Sequence, residues 1–166
     1  MNDEAQKNDD FVAWQEKARG TNVNEKTLLA TDYLNHFNEI IMLIGMLPDM
    51  PDMIEDCKSW QPKSYQDHFR DSVFPDRDLA VAAYDHVPPR YKGPFEQTVR
   101  QFDHAVVTVI KRLQAALDQE QTELFCLRAK VAAEALQRLI DVASAIIHGD
   151  TTTLTQVEID AMIEAG

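Results

Sequence analysis

From Phe95 to His148 the chain carries neither glycine nor proline, and no other feature limits its possible folds so tightly. A stretch of that length without a breaker forms either one very long helix or two helices joined by an unmarked turn. The phase of the apolar residues decides between them. Phe95, Val99, Phe102, Val106, Val109 and Leu113 alternate steps of four and three, which is one face of a helix. Continuing that step meets Glu120, Glu123 and Lys130, and the stripe resumes out of register at Leu124, Leu127, Val131, Leu136, Leu139, Ala143 and Ile146. A tight connection at Asp118 to Thr122 is therefore predicted, giving an antiparallel helix pair that ends at Gly149.

All seven prolines fall between Pro48 and Pro94, so this third of the chain is predicted to be short helices joined by turns. Ser64, three residues before Asp67, marks the start of one of them. "PDRDLAVAAYDHV" marks another, with Leu79, Ala82, Ala83 and Tyr84 as inward positions. Before the prolines, Asn24 is placed to cap a helix running to Leu47, whose buried stripe is Leu29, Tyr33, Phe37, Ile40, Ile41 and Ile44. Gly20 stops a short helix in "FVAWQEKARG". No alternating β-branched run is bounded by turn residues. The expected fold class is all-α: a small antiparallel helical bundle with short proline-separated helices and a linked C-terminal amphipathic helix.

The 166 residues suit one domain. The expected division is a polar arm over 1–23, a helical bundle over 24–149, and a linker with a peptide helix over 150–166. A formal charge of -12 repels phosphate backbones and anionic lipid, so neither nucleic acid nor membrane is an expected partner. The apolar run "IIMLIGML" is too short to span a bilayer. Cys57 and Cys126 lack the CxxC spacing, and no signal-peptide pattern opens the chain, so a cytoplasmic protein with reduced thiols is expected.

Five histidines in a helical chain invite a metal reading. Dimetal bundles place a glutamate three residues before each ligating histidine, so that both aim inward. Here Tyr33, Tyr65, Ala83, Gln101 and Ala145 hold those positions, and none is acidic. His36 shares a face with Asp32 and Glu39, which is read as solvated; the local negative charge also opposes a phosphate-accepting role. No metal and no cofactor are expected.

The tail is more specific. Asp150 to Thr153 carries no apolar residue and suits a linker. Thr155 stands three before Glu158, the spacing of a capping box, and Leu154 stands five before Ile159, the spacing of a hydrophobic staple. Ile159, Met162 and Ile163 then share a face, and a helix this short is marginal until that face is covered, which suggests docking into a partner's groove. "LTQVEIDAMI", Leu154 to Ile163, resembles the response-regulator-binding peptide of the flagellar switch protein FliM, whose pattern reads close to L-S-Q-x-E-I-D-A-L-L. Leu154, Gln156, Glu158, Ile159, Asp160, Ala161 and Ile163 match, with Thr155 for serine and Met162 for leucine. A similar tail closes the chemotaxis phosphatase CheZ. The resemblance implies binding of a CheY-like response regulator in chemotaxis or flagellar signalling, with Leu154, Gln156, Glu158, Ile159, Asp160, Met162 and Ile163 as contact residues. An acidic helix suits the lysine-bearing surface that the family recognises.

Two alternatives stand beside this one. A CheZ-like phosphatase of the phosphorylated regulator needs an acid and a side-chain amide one turn apart on a helix. The family's Asp-x-x-x-Gln is not reproduced; Glu134 and Gln137 are the candidates, with Asp32 and Asn35 behind them. Any Mg2+ would arrive with the regulator. The other alternative is a structural or oligomerising bundle in an unrelated pathway. A homodimer through "FNEIIMLIGML" is compatible with any of these.

Overall fold

The computed structural model describes residues 2–165, and among these it contains eight α-helices and no strand. The predicted all-α bundle is the observed architecture. In chain order the helices are α1 (Asn2–Ala18), α2 (Leu34–Met46), α3 (Ile54–Ser59), α4 (Tyr65–Arg70), α5 (Arg77–Tyr84), α6 (Pro89–Asp118), α7 (Thr122–Ile147) and α8 (Gln156–Glu164). The antiparallel pair α6 and α7 is the spine, α2 lies against α7, and α4 and α5 pack as a short pair near the start of α6.

The break between α6 and α7 falls where the apolar phase put it. Glu120 adopts a left-handed φ of 56° there, and the Gln121 N–H closes on the Ala116 carbonyl. Phe95, Phe102, Val106, Val109 and Leu113 are all buried on α6. The first turns of α7 are rotated from the expected stripe: Phe125, Ala129 and Ala132 are buried, whereas Leu127 is 48% exposed. The C-terminal end of α7 has the predicted form, with Gly149 at φ 109° and the Asp150 N–H returning to the Ala145 carbonyl.

Two helix starts differ from expectation. Asn24 caps a turn that does not continue into a helix: its Oδ1 accepts from the N–H groups of Lys26 and Thr27, while its own N–H goes forward to the Leu29 carbonyl. Leu28 has a φ of 63°, which stops propagation, and Leu28, Leu29 and Ala30 are completely buried. Thr27 fixes the loop by donating from Oγ1 to the Ile147 carbonyl at 2.6 Å. The regular helix α2 therefore begins only at Leu34, after a single 3-10 turn at Thr31–Tyr33. Conversely, α6 begins at Pro89, six residues before the breaker-free stretch, because a proline at the first helical position loses no hydrogen bond. Pro94 lies within the helix and removes one ladder bond from its second turn.

At the N-terminus, α1 runs well beyond the short helix that Gly20 implied. Its Phe11 and Trp14 are half-buried and Ala18 is buried, and Trp14 stacks on His86 at 4.6 Å. In the proline-rich third, the Ser64 hydroxyl accepts the Asp67 N–H as predicted, at 3.2 Å. On α5 the inward positions are Ala80 and Ala83, with Leu79 and Tyr84 half-buried; Ala82 faces outward, contrary to expectation.

Candidate functional site

Helix α8 forms as predicted. The Glu158 N–H donates to Thr155 Oγ1 at 3.2 Å, and that hydroxyl meets Glu158 Oε1 at 3.2 Å. The return contact of the capping box is thus hydroxyl to carboxylate, not carboxylate to backbone. The expectation that its apolar face lacks a partner does not hold. Ile159 is 0% exposed and Ile163 6%, both in the same apolar core as α6 and α7, and Leu154 joins them at the head of the helix. Gln101 on α6 donates from Nε2 to the Leu154 carbonyl at 2.9 Å, which fixes where the tail enters its seat. Linker 150–153 is short enough to return α8 directly onto the spine.

The other face of α8 is open. Gln156, Glu158 and Asp160 are exposed, Val157 is 78% exposed, and the Gln156 amide donates to Asp160 Oδ1 at 2.8 Å. Of the seven contact residues implied by the FliM-like pattern, three are exposed and polar, Met162 is half-buried, and three are enclosed. Glu134 and Gln137 lie on the exposed side of α7, one turn apart. Gln137 donates its amide to Asp141 Oδ1 at 3.0 Å, so a water-orienting role would require it to let go of that carboxylate. Asp32 and Asn35 are bound to one another at 3.1 Å.

The face around Asp32 is more enclosed than its spacing suggested. His68 Nε2 lies 3.0 Å from Asp32 Oδ2, and His36 stacks on Trp60 at 4.8 Å. Burial, reinforced by the nearby His68, lowers the His36 pKa to about 4, which keeps the ring neutral. Its Nε2 has no hydrogen-bond partner among the described residues.

Sequence reading did not identify a recess of about 340 Å³ beside this cluster, where α4 and α5 meet α6. Tyr33, Tyr65, Tyr84 and Phe95 supply aromatic surface, and Glu96 and Asp103 supply carboxylates. Burial pushes the pKa of Asp103 up to about 6, and burial also raises those of Tyr33, Tyr65 and Tyr84 above the ordinary phenol range. These residues come from four separate segments. The one local signal was a pair of acids, Glu96 and Asp103, each directly after a buried phenylalanine of the α6 stripe.

No family model, curated protein or solved structure matches the chain. No helix among the described residues is long and apolar enough to cross a membrane.

Proposed function

We propose that this protein is a receiver-binding module of chemotaxis or flagellar control, and that α8 is the element that engages a CheY-like response regulator. The observation that carries this reading is α8 itself. The FliM-like residues form a Thr155-capped helix that keeps a strip of Gln156, Glu158 and Asp160 in solvent. That strip meets the regulator first, with the charge complementarity expected of an acidic ligand.

Full engagement also needs Leu154, Ile159 and Ile163, which the free protein holds against its own spine. Burying three such side chains contributes roughly 5–9 kcal/mol, and releasing the segment returns much of that as backbone entropy. A micromolar helix-in-groove complex supplies about 8 kcal/mol. A receiver can therefore displace α8 from its seat, and its measured affinity includes the cost of doing so.

Titrating a fluorescent receiver domain, activated and inactive, against the full chain tests this. Saturable binding that prefers one state is expected. It is lost on cutting after Asp150 and weakened at least about tenfold by the paired exposed changes Glu158→Lys and Asp160→Lys, a loss of about 1.4 kcal/mol. Affinity that ignores all of these changes overturns the proposal.

The exposure of Glu134 and Gln137 supports the second reading, a phosphatase of the same regulator. A shortened receiver-phosphate lifetime, restored by Gln137→Ala, is its signature. An unchanged lifetime leaves an adaptor.

A further inference from the structure

The apolar run of α2 that suggests a homodimer spends Phe37, Ile40, Ile44 and Leu47 on the protein's own core. Outward it presents Met42, 61% exposed, and Gly45, one turn further along the same face. Gly45 and Pro48, the latter just beyond α2, face Leu127 and Ala133 of α7 across a mostly apolar groove of about 480 Å³. Leu127 is itself 48% exposed, so the groove continues into open apolar surface.

Two observations indicate what covers it. The first is charge. Lys130 and Glu134 are the charged residues of the lining, so the groove is neutral overall while the chain carries -12. Copies of so acidic a chain repel one another, and a face of balanced charge is where they approach at least cost. Both residues are exposed, and neither enters an ion pair among the described residues. They stand one turn apart on α7 with the lysine first, which is the weaker order for pairing along a helix. Across a two-fold axis, however, the same two residues complement themselves: where α7 crosses its copy antiparallel, each lysine meets the other copy's glutamate.

The second observation is Gly45. A glycine inside a helix is destabilising relative to alanine, and a Cβ at Gly45 would meet nothing within 4 Å. The protein's own packing therefore does not require a glycine there, whereas a second backbone at close range does. We propose that this groove seats a second copy of the chain in a two-fold dimer, with Lys130 of each copy against Glu134 of the other, Met42 and Leu127 covered, and Gly45 admitting the close approach. The face uses none of the residues of α8, so the dimer is independent of the receiver-binding proposal.

Sedimentation of the full-length protein over about 1–500 µM tests it, with a dimer expected at a Kd on the order of 10–100 µM, as befits a small interface. Lys130→Glu and Glu134→Lys should each weaken it at least about tenfold, because symmetry makes every such change two like-charge contacts. An equimolar mixture of these two variants should instead associate at least as tightly as the parent, since opposite charges then meet at both contacts. Gly45→Gln should weaken the dimer at least about tenfold by blocking close approach. Lys130, Glu134 and Gly45 are all exposed, so circular dichroism should not change. A monomer throughout the range overturns the proposal and leaves the groove to a different protein. So does a dimer indifferent to the substitutions, which would lie on another face, or a mixture that associates no better than its components.

Discussion

The seat of α8, formed by α7 and α6, and the recess beside Tyr84, formed on α6, are treated by the chain in opposite ways. The seat is apolar, and the protein fills it with Leu154, Ile159 and Ile163 from its own C-terminal segment. The recess is walled by aromatic rings but contains Asp103, and nothing in the described chain completes that carboxylate's hydrogen bonding. Apolar surface can be covered by any side chain of suitable shape, so a tail can fill it during folding. An unpartnered buried acceptor has a directional requirement that apolar side chains do not meet, and no donor of the described chain, Lys63 and Arg100 at the recess included, is within hydrogen-bond distance of Asp103 Oδ1.

The largest expected effect lies in the recess wall, since Tyr65 packs against Tyr33, Phe69, Tyr84 and Phe95 and is 3% exposed. Tyr65→Ala is expected to cost about 3–5 kcal/mol in urea unfolding, and Tyr65→Phe about 1–3 kcal/mol because the buried Ala30 N–H loses its acceptor. A loss under about 1 kcal/mol for Tyr65→Ala would mean that the recess is a surface groove and not part of the core.

Ile159→Ala comes next, at about 2–4 kcal/mol, but confined to α8. Amide exchange over residues 156–164 should accelerate to nearly unprotected rates while α6 and α7 stay protected. Uniform acceleration along the whole chain would show the seat to be inseparable from the spine and would count against displacement by a receiver.

A smaller effect tests the condition of Asp103. Its carboxyl titrates near 6 when folded and near the ordinary value of about 3.9 when unfolded. Between those limits the folded state holds more protons, so this group's contribution to stability is complete below about pH 4 and is lost as pH rises through about 6. Relative to the parent, Asp103→Asn should therefore gain roughly 1–2 kcal/mol between pH 4 and pH 7, allowing for water at the recess mouth. A constant difference would place the carboxylate in bulk solvent. Smallest is Thr155→Ala, about 1 kcal/mol of α8 docking, seen as faster exchange in its first turn.

Features written locally are legible in the sequence. The phase slip between Leu113 and Leu124, the Ser64 cap, the Thr155 cap and the turn at Gly149 each depend on residues within a few positions of one another. Asn24 carries the same capping cue as Ser64 and misleads, because the path of the chain beyond it is decided by Thr27 reaching Ile147 and by Leu28, Leu29 and Ala30 entering the core. Pro89 reads as a breaker, although proline is well suited to a first helical position. The polar face of α8 is legible and the burial of its apolar face is not, since periodicity shows that a stripe will be covered without showing by what. The recess is hidden for a related reason: its walls come from segments far apart in sequence.

The Thr27 to Ile147 hydrogen bond spans 120 positions, and Lys26 lies against Gly149 so closely that a Cβ there would meet its Nζ at 2.7 Å. The loop that leads into α2 is thus latched to the far end of α7. A nascent chain cannot close this latch until the end of α7 has left the ribosome. Until then Leu28, Leu29 and Ala30 stay unsheltered, so the buried loop is set only after the α6 and α7 pair is complete.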